Sequence, residues 1–455
     1  MQIFSTILYI IKGKYLKINN TISNLNLCIS ATASNQGKTI LTTALLYHFK
    51  NSVRPFKIGP DYIDPQFHKK VCDTDSVNLD SFIMNEKQVK WMFNNYSNKK
   101  VSILEGVMGF YDGDNKGCSA YSVSKLLQVP TILVLDASGS YITISAVLKG
   151  LLEYKKDNTI KAVVLNNVSS QMHFELIKNQ INNDHKDIKV LGWIQKNLDC
   201  LKDTHLGLDL DDMEKIKDIS VEVLKHIDLD LLKTLKTKKY KLKIDKYPFK
   251  KIKKIDRKLA IVTDENFSFL YYDNLMFLKE TFKNVVIINS TKDQKIPKSV
   301  DIVYICGGYV ETNKTYNKIK SSNEFKKSLI KHSKNKRIYA ECAGLLYLGN
   351  KVDDKKMSGI LNIDFTLDTR FNRLGYYYNE QGVKGHSFHY TKPVSDEESK
   401  GFTKETEGFD ILSKKENGIG KAGSWQSKNK KVFGTYLHTM FRNNFDLLKK
   451  RFYEV

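Results

Sequence analysis

The chain has no C-x-x-C pair. Its six cysteines (Cys28, Cys72, Cys118, Cys200, Cys306, Cys342) are scattered over 455 residues. That spacing speaks against a disulfide framework and against a zinc site, and it fits a reducing compartment. Arginine is scarce as well: the 73 basic residues include only 7 arginines. The net charge of +23 therefore rests on lysine, a solvated point charge. Specific phosphate or base readout leans on Arg, and neither zinc-finger spacing nor an aromatic RNA-binding signature is present. The basic balance reads as a lysine-rich soluble surface with no nucleic-acid partner, one that would also suit a substrate carrying many carboxylates. A long apolar run is missing too. Ile3 to Ile11, interrupted by Ser5 and Thr6, is too short to span a bilayer. It lacks the basic start and small-residue cleavage site of a signal peptide. The expectation is a cytoplasmic protein without a membrane partner, in which residues 1–24 extend ahead of the first core strand.

What is present is length and a rhythm. At 455 residues with 41% hydrophobic content, the chain suggests two to three domains. In the first half, β-branched and aliphatic runs at Leu25–Ser30, Val53–Ile58, Val101–Leu104, Thr131–Leu135, Ala162–Leu165 and Lys189–Trp193 alternate with helical patterns. That alternation predicts a parallel, doubly wound α/β sheet. From Lys233 to Lys258 the chain turns Lys-rich with little apolar periodicity, which reads as a solvated linker. A second α/β pattern follows at Leu259–Thr263, Val285–Asn289, Ile302–Ile305, Arg337–Ala340 and Val432–Thr435. The expected division is 25–232, a linker 233–258, and 259–455.

The most informative stretch is Arg337-Ile-Tyr-Ala-Glu-Cys-Ala-Gly-Leu-Leu-Tyr347. A short apolar strand, a small-residue turn and a helical pattern together make a nucleophile elbow around Cys342. A helix N-terminus beside the sulfur favours the thiolate. Far downstream, Gly434-Thr-Tyr-Leu-His-Thr-Met-Phe441 supplies His438 at the end of another strand. A Cys with a distant His suggests acyl-thioester chemistry; the alternative is a buried structural cysteine.

The other end of the chain carries a phosphate pattern. Leu27-Cys-Ile-Ser-Ala-Thr-Ala-Ser-Asn-Gln-Gly-Lys-Thr39 is a strand, a small-residue loop, then Gly37-Lys38-Thr39 opening a helix. Backbone amides of such a loop cradle phosphates, with Lys38 on the outer phosphates and the Thr39 hydroxyl on magnesium. Thr32 stands where the first glycine of the pattern belongs, and Asn35 where many such loops carry glycine. Carboxylates then gather at strand ends: Asp61 and Asp64 in Gly59-Pro-Asp-Tyr-Ile-Asp-Pro65, Glu105 at the close of its strand, and Asp112 in the following glycine-rich loop. Ligands of open α/β sheets bind at the carboxyl ends of the strands, and carboxylates there suit magnesium. Asp beside Pro and Gly is also a turn former. Asp136 is a weaker candidate of the same kind.

With both ends in view the chain resembles the cobyrinic acid a,c-diamide synthase family of glutamine-dependent amidotransferases. The likeness runs from about Leu25 to Phe441. In the first half it rests on Pro55-Phe-Lys-Ile-Gly-Pro-Asp-Tyr-Ile-Asp-Pro65, Asn78-Leu-Asp-Ser81, Glu105-Gly-Val-Met-Gly-Phe-Tyr-Asp-Gly113 and His205-Leu-Gly-Leu208. In the second half it rests on Gly307-Gly-Tyr309, Tyr339-Ala-Glu-Cys-Ala-Gly344, Arg373-Leu-Gly-Tyr376 and Gly385-His-Ser-Phe-His-Tyr390.

The resemblance implies a P-loop ATPase-type parallel-sheet domain, like dethiobiotin synthetase, followed by a class I glutamine amidotransferase-like α/β domain. It implies Cys342 as nucleophile, His438 as its base, and Gly308 with the Ala343 amide as oxyanion hole. It places Asp61, Tyr62, Asp64 and Asp112 at the substrate and phosphates. Gly37, Lys38 and Thr39 fall at ATP, and Thr39, Asp61 and Glu105 at Mg2+. The implied reaction is ATP-driven amidation of the a- and c-carboxylates of a corrinoid polycarboxylate, cobyrinic acid, with ammonia from glutamine.

Hydrogenobyrinate or a nickel sirohydrochlorin are alternative substrates. A non-catalytic ATP-binding protein with a relict amidotransferase domain is a rival of another class, and the intact Cys342 and His438 speak against it. The chain departs from the family pattern in places. Met440 stands where many class I glutaminases have a Glu two residues after the histidine, so what orients His438 is open. Cys306 and Val310 replace usual prolines, and Cys306 reads as a small core residue. His386 and His389 suit either substrate contact or internal hydrogen bonding.

Overall fold

The structure, a computed structural model, describes residues 25–198, 213–235, 246–378, 382–394 and 423–453. It also describes short strands at 203–204, 207–208, 402–403, 406–409, 414–415 and 418–419. Residues 1–24, Cys200 and His205 lie outside the described residues.

The first unit is a seven-stranded parallel sheet. Its strands are β1 (Leu25–Ala31), β2 (Val53–Ile58), β3 (Val77–Leu79), β4 (Val101–Glu105), β5 (Thr131–Asp136), β6 (Ile160–Val168) and β7 (Lys189–Gln195), in the order β3-β2-β4-β1-β5-β6-β7. The connecting helices are α1 (Lys38–His48), α2 (Ile63–Cys72), α3 (Glu86–Tyr96), α4 (Ala120–Leu127), α5 (Ile142–Tyr154) and α6 (Gln171–Asp184). β1 is buried along its whole length. That is why it reads as an unbroken apolar run and not as an alternation. β1 pairs in parallel with β4 on one side and β5 on the other, so the sheet order reverses there and a crevice opens beyond its carboxyl end. The loops after β1, β2 and β4 all face that crevice. The short β3 was not expected: three residues of Asn78-Leu-Asp context are too few to show a strand period.

Two helices, α7 (Met213–Lys225) and α8 (Leu229–Lys233), return to this unit, and Ile216, Leu232 and Leu235 join its core. The 233–258 segment is less solvated at its ends than its lysines suggest. Tyr247 and Phe249 pack on Trp91 at 5.2 and 5.3 Å, and strand pairing has begun by Ile255. An aromatic every few residues outweighs the surrounding charge once a partner surface is available.

After the 203–204 and 207–208 strands (β8 and β9), the second unit begins with β10 (Ile255–Val262), α9 (Tyr272–Thr281), β11 (Phe282–Ile288) and β12 (Ile302–Ile305). It continues with α10 (Asn313–Ile319), α11 (Asn323–Ser333), β13 (Arg337–Glu341) and α12 (Ala343–Leu348). Its main sheet runs β11-β10-β12-β13 and then Val432–Thr435, all parallel. Antiparallel strands at 424–427, 406–409 and 402–403 follow. A hairpin of Arg373–Tyr378 and Lys384–His389 stands apart from this sheet.

The two units share a core. Tyr62 and Phe110 of the first unit fall in one buried cluster with Phe269, Tyr271 and Met440 of the second. Polar contacts pin the seam. The Tyr96 hydroxyl donates to Asp273 at 2.6 Å, Tyr271 to the Pro60 carbonyl at 3.0 Å, and Tyr376 to Asp80 at 2.7 Å. Arg442 holds Asp273 at 3.0 Å and Glu280 at 2.8 Å.

Candidate active sites

The phosphate loop is closed by side chains where the usual pattern uses glycines. Thr32 donates its hydroxyl to Gln36, and Asn35 adopts φ 59°. Asn is among the few residues that tolerate this left-handed region, so it can stand in for glycine there. Gly37 cannot be replaced in the same way. Its φ is 92°, and a Cβ would fall 2.6 Å from Asn166 Nδ2. Lys38 folds back to the Ala33 carbonyl at 2.7 Å. Burial, and then the neighbouring Lys57, lower its pKa to about 8.

Glu105, fully buried at the end of β4, collects three partners. It accepts the Thr39 hydroxyl at 2.9 Å, faces His68 Nε2 at 2.6 Å, and lies 3.5 Å from Lys57 Nζ. Lys57 also bonds Asp64 and lies 3.8 Å from Asp61. Burial works against this ammonium, but Asp64, Glu105 and Asp61 outweigh it and hold the charge. Burial works against the Asp64 carboxylate too, yet Lys57 keeps it below the ordinary range. Asp61, half-buried beside Asp64, is pushed up by desolvation and by the Asp64 charge. Asp112 caps its own loop, accepting the Gly109 amide at 2.7 Å. Asp136 accepts the Ser138 amide and the Asn167 side chain, both at 3.0 Å, which is turn chemistry.

Magnesium can be tested against these donors. Thr39 Oγ1 and Glu105 Oε1 are adjacent oxygens at the loop, and Mg2+ takes one or two carboxylates with phosphates and water supplying the rest. Among the described residues, no cluster of three or more His, Cys, Asp or Glu is arranged to hold a metal alone. The set fits a nucleotide-bridged ion, with Asp61 behind Lys57.

At the other site, Cys342 follows the last residue of β13 at φ 45°, ψ −106°, a strained conformation costing of order 1–3 kcal/mol. The strain is held by the Cys342 amide on the Thr435 carbonyl at 2.7 Å, and by Leu346 bonding back to the Cys342 carbonyl at 2.9 Å. The amides of Ala343 and Gly308 both point at the sulfur, so the two expected oxyanion donors meet there. The expected preference for thiolate is not met in the resting chain. Burial, helped by Glu311, pushes the thiol well above its usual range, and the two amides only partly offset this. The six-residue α12 carries too small a dipole to win. A proton acceptor is therefore required.

His438 is buried and its backbone is fixed on both sides. Its amide donates to the His386 carbonyl and its carbonyl accepts the His386 amide, both at 2.8 Å. Its Nδ1 lies 3.5 Å from Glu341 Oε2. Met440 points into the interdomain core, so that position carries packing and no carboxylate. Cys306 is fully buried, in line with a small core residue. His389 stacks on Tyr436 at 3.6 Å and bonds the Thr391 carbonyl at 2.7 Å; it belongs to the core. Burial lowers both His386 and His389 to about 3.

Tyr62 is where expectation and structure part. Its ring lies in the interdomain stack, 4.8 Å from Phe269, 4.3 Å from Tyr271 and 5.1 Å from His438, so it packs between the two sites. Sequence reasoning missed Lys57, His68 and Glu341. The available signals were a lysine near the end of a buried strand, a histidine one helical turn after Asp64, and a carboxylate preceding Cys342 on a buried strand.

A family model for the CobQ/CobB/MinD/ParA nucleotide binding domain matches residues 27–210, and one for the CobB/CobQ-like glutamine amidotransferase domain matches residues 258–445. A protein named cobyrinate a,c-diamide synthase from Caldanaerobacter subterraneus subsp. tengcongensis is 35% identical over 396 residues, covering 80% of this chain and 86% of its own length. Proteins of the same name from Saccharolobus solfataricus and Methanocaldococcus jannaschii are each 32% identical over 442 residues. They cover 91% and 90% of this chain and 97% and 94% of their own.

Proposed function

The chain belongs to the cobyrinate a,c-diamide synthase family, and from that premise we propose how its two sites divide the work of an ATP-using, amide-forming ligase of cobalamin biosynthesis. The first unit activates a carboxylate. Oxide is too poor a leaving group for ammonia to displace, so ATP transfers its γ-phosphoryl group to the carboxylate, giving an acyl phosphate and ADP. The Gly37-Lys38-Thr39 loop holds the phosphates, and Lys38 gains its full charge against them. Thr39 and Glu105 would hold magnesium, which would supply positive charge against the phosphates. Asp61, Asp64 and Lys57 line the acceptor side.

The second unit releases ammonia. His438 takes the Cys342 proton, and the sulfur attacks the glutamine side-chain amide. The Gly308 and Ala343 amides stabilise the oxyanion. His438 returns that proton to the leaving nitrogen, ammonia departs, a thioester remains, and water frees glutamate. Ammonia then displaces phosphate from the acyl phosphate. Two cycles, on the a- and c-acetates of cobyrinate, complete the diamide.

The observation that carries this reading is Tyr62, whose backbone adjoins Asp61 while its ring packs at 5.1 Å from the His438 ring. One residue borders both sites, so the proposed ammonia source and the proposed acyl phosphate are neighbours across a single seam. The test is product mass from cobyrinic acid, Mg-ATP and glutamine, beside Cys342→Ala. The variant should lose glutamine-dependent amidation and keep amidation with added ammonia. Hydrogenobyrinate and nickel sirohydrochlorin serve as alternative substrates. No two-step mass gain on cobyrinate, with gain on one of these, would move the substrate assignment.

A further inference from the structure

We propose that Glu341, the residue preceding the nucleophile, is the positioning residue for His438, filling the place of the carboxylate that Met440 leaves empty. This rests on the reading of Cys342 and His438 as nucleophile and base.

The backbone around His438 is already fixed. His386 bonds it on both sides, and Asn274 of α9 holds the Thr439 carbonyl and the Phe441 amide, each at 2.8 Å. What the backbone leaves undetermined is ring rotation and tautomer. One side of the ring lies against Gly307, where a Cβ would fall 2.2 Å from His438 Cε1. Tyr62 and Phe269 flank the ring at 5.1 and 6.1 Å. These contacts are apolar or steric and cannot choose between Nδ1–H and Nε2–H.

Glu341 can. It is fully buried, and its Oε2 lies 3.5 Å from His438 Nδ1. Nδ1 is buried and makes no hydrogen bond among the described residues, so no other group competes for it. The separation is an ion-pair distance just beyond a hydrogen bond, and such contacts tighten when substrate binds. The carboxylate is itself aimed. Tyr304 donates to Oε2 at 3.0 Å and Tyr339 to Oε1 at 3.1 Å. Both phenols are buried, and that burial, with Glu341 beside them, holds their protons firmly in place. With Nδ1–H directed to Glu341, the lone pair sits on Nε2, the nitrogen free to take a thiol proton. The carboxylate then stabilises the imidazolium that forms. β13 thus presents the nucleophile and, one residue earlier, the group that orients its base.

The test is Glu341→Gln, which keeps an acceptor for the tyrosines while removing the charge. Glutamine-dependent kcat should fall roughly 10²-fold, with KM for glutamine little changed and ammonia-dependent amidation intact. The rate of Cys342 alkylation by iodoacetamide at a fixed neutral pH should fall too, because the ring no longer presents Nε2 to the thiol. Glu341→Asp should recover part of the rate. Glutamine-dependent turnover within twofold of the parent chain, or an unchanged alkylation rate, would overturn the assignment. Cys342→Ala is run alongside. If it keeps glutamine-dependent turnover, the nucleophile reading itself fails; if it loses turnover while Glu341→Gln does not, only the role of Glu341 fails.

Discussion

The two sites meet across one interface and are built on opposite electrostatic plans. At the phosphate end, Lys57 sits among Asp61, Asp64 and Glu105 before any ligand arrives. Opposite charges there are already paired in the resting chain. At the glutaminase end the proposed nucleophile, Cys342, is a thiol held up by burial, and in the proposed reaction charge appears only once His438 takes its proton. The first site must exchange partners when phosphate binds. The second must create an ion pair where none stood. Buried permanent charges need mutual compensation in the resting state, whereas a transient pair needs only preset geometry.

That contrast can be broken in order of expected effect. Glu105→Gln should remove the negative charge shared by Thr39, His68 and Lys57 and leave only one acceptor oxygen among them. Amidation with glutamine and with ammonia should both fall by roughly 10²-fold or more, while glutamine hydrolysis continues. Loss of glutamine dependence alone would contradict the division of labour. Lys57→Met leaves three carboxylates around an apolar side chain. Breaking a buried ion network by removing one partner costs about 3–5 kcal/mol, readable as a lower urea midpoint at unchanged slope. An unchanged midpoint would mean that the carboxylates are compensated elsewhere.

The mildest effect is a pH dependence. Lys38, lowered to about 8 by burial and Lys57, is cationic below that pH and loses charge above it. Without full charge it holds triphosphate less well, so KM for ATP should rise severalfold between about pH 7.5 and 9.5. Lys38→Arg, which stays charged, should flatten the rise. A flat profile in the parent chain would mean that nucleotide keeps Lys38 charged throughout.

Much of this was legible in the residue order. The elbow showed in Arg337–Tyr347 because a strand, a small-residue turn and a helix leave different periods. The phosphate loop showed in Gly37-Lys38-Thr39 for the same reason. Lys57, His68 and Glu341 were passed over because each has a partner far off in sequence, Glu105 for Lys57 and His68 and His438 for Glu341. Glu341 reads as one charged letter in an apolar strand until β12, β13 and the chain after Val432–Thr435 come together around it.

Sequence alone determined which chemical groups exist and on what local element each is carried: a cysteine on a sharp turn, a lysine and threonine opening a helix, carboxylates closing strands. Those depend on contacts within a few residues. Only the tertiary structure decided their protonation and pairing: that Cys342 rests as a thiol, that Asp61 and Asp64 diverge around Lys57, that Tyr62 belongs to the seam, and that a carboxylate from β13 faces His438. Burial and charge interaction are properties of the space around a group, and that space is filled by segments hundreds of residues apart.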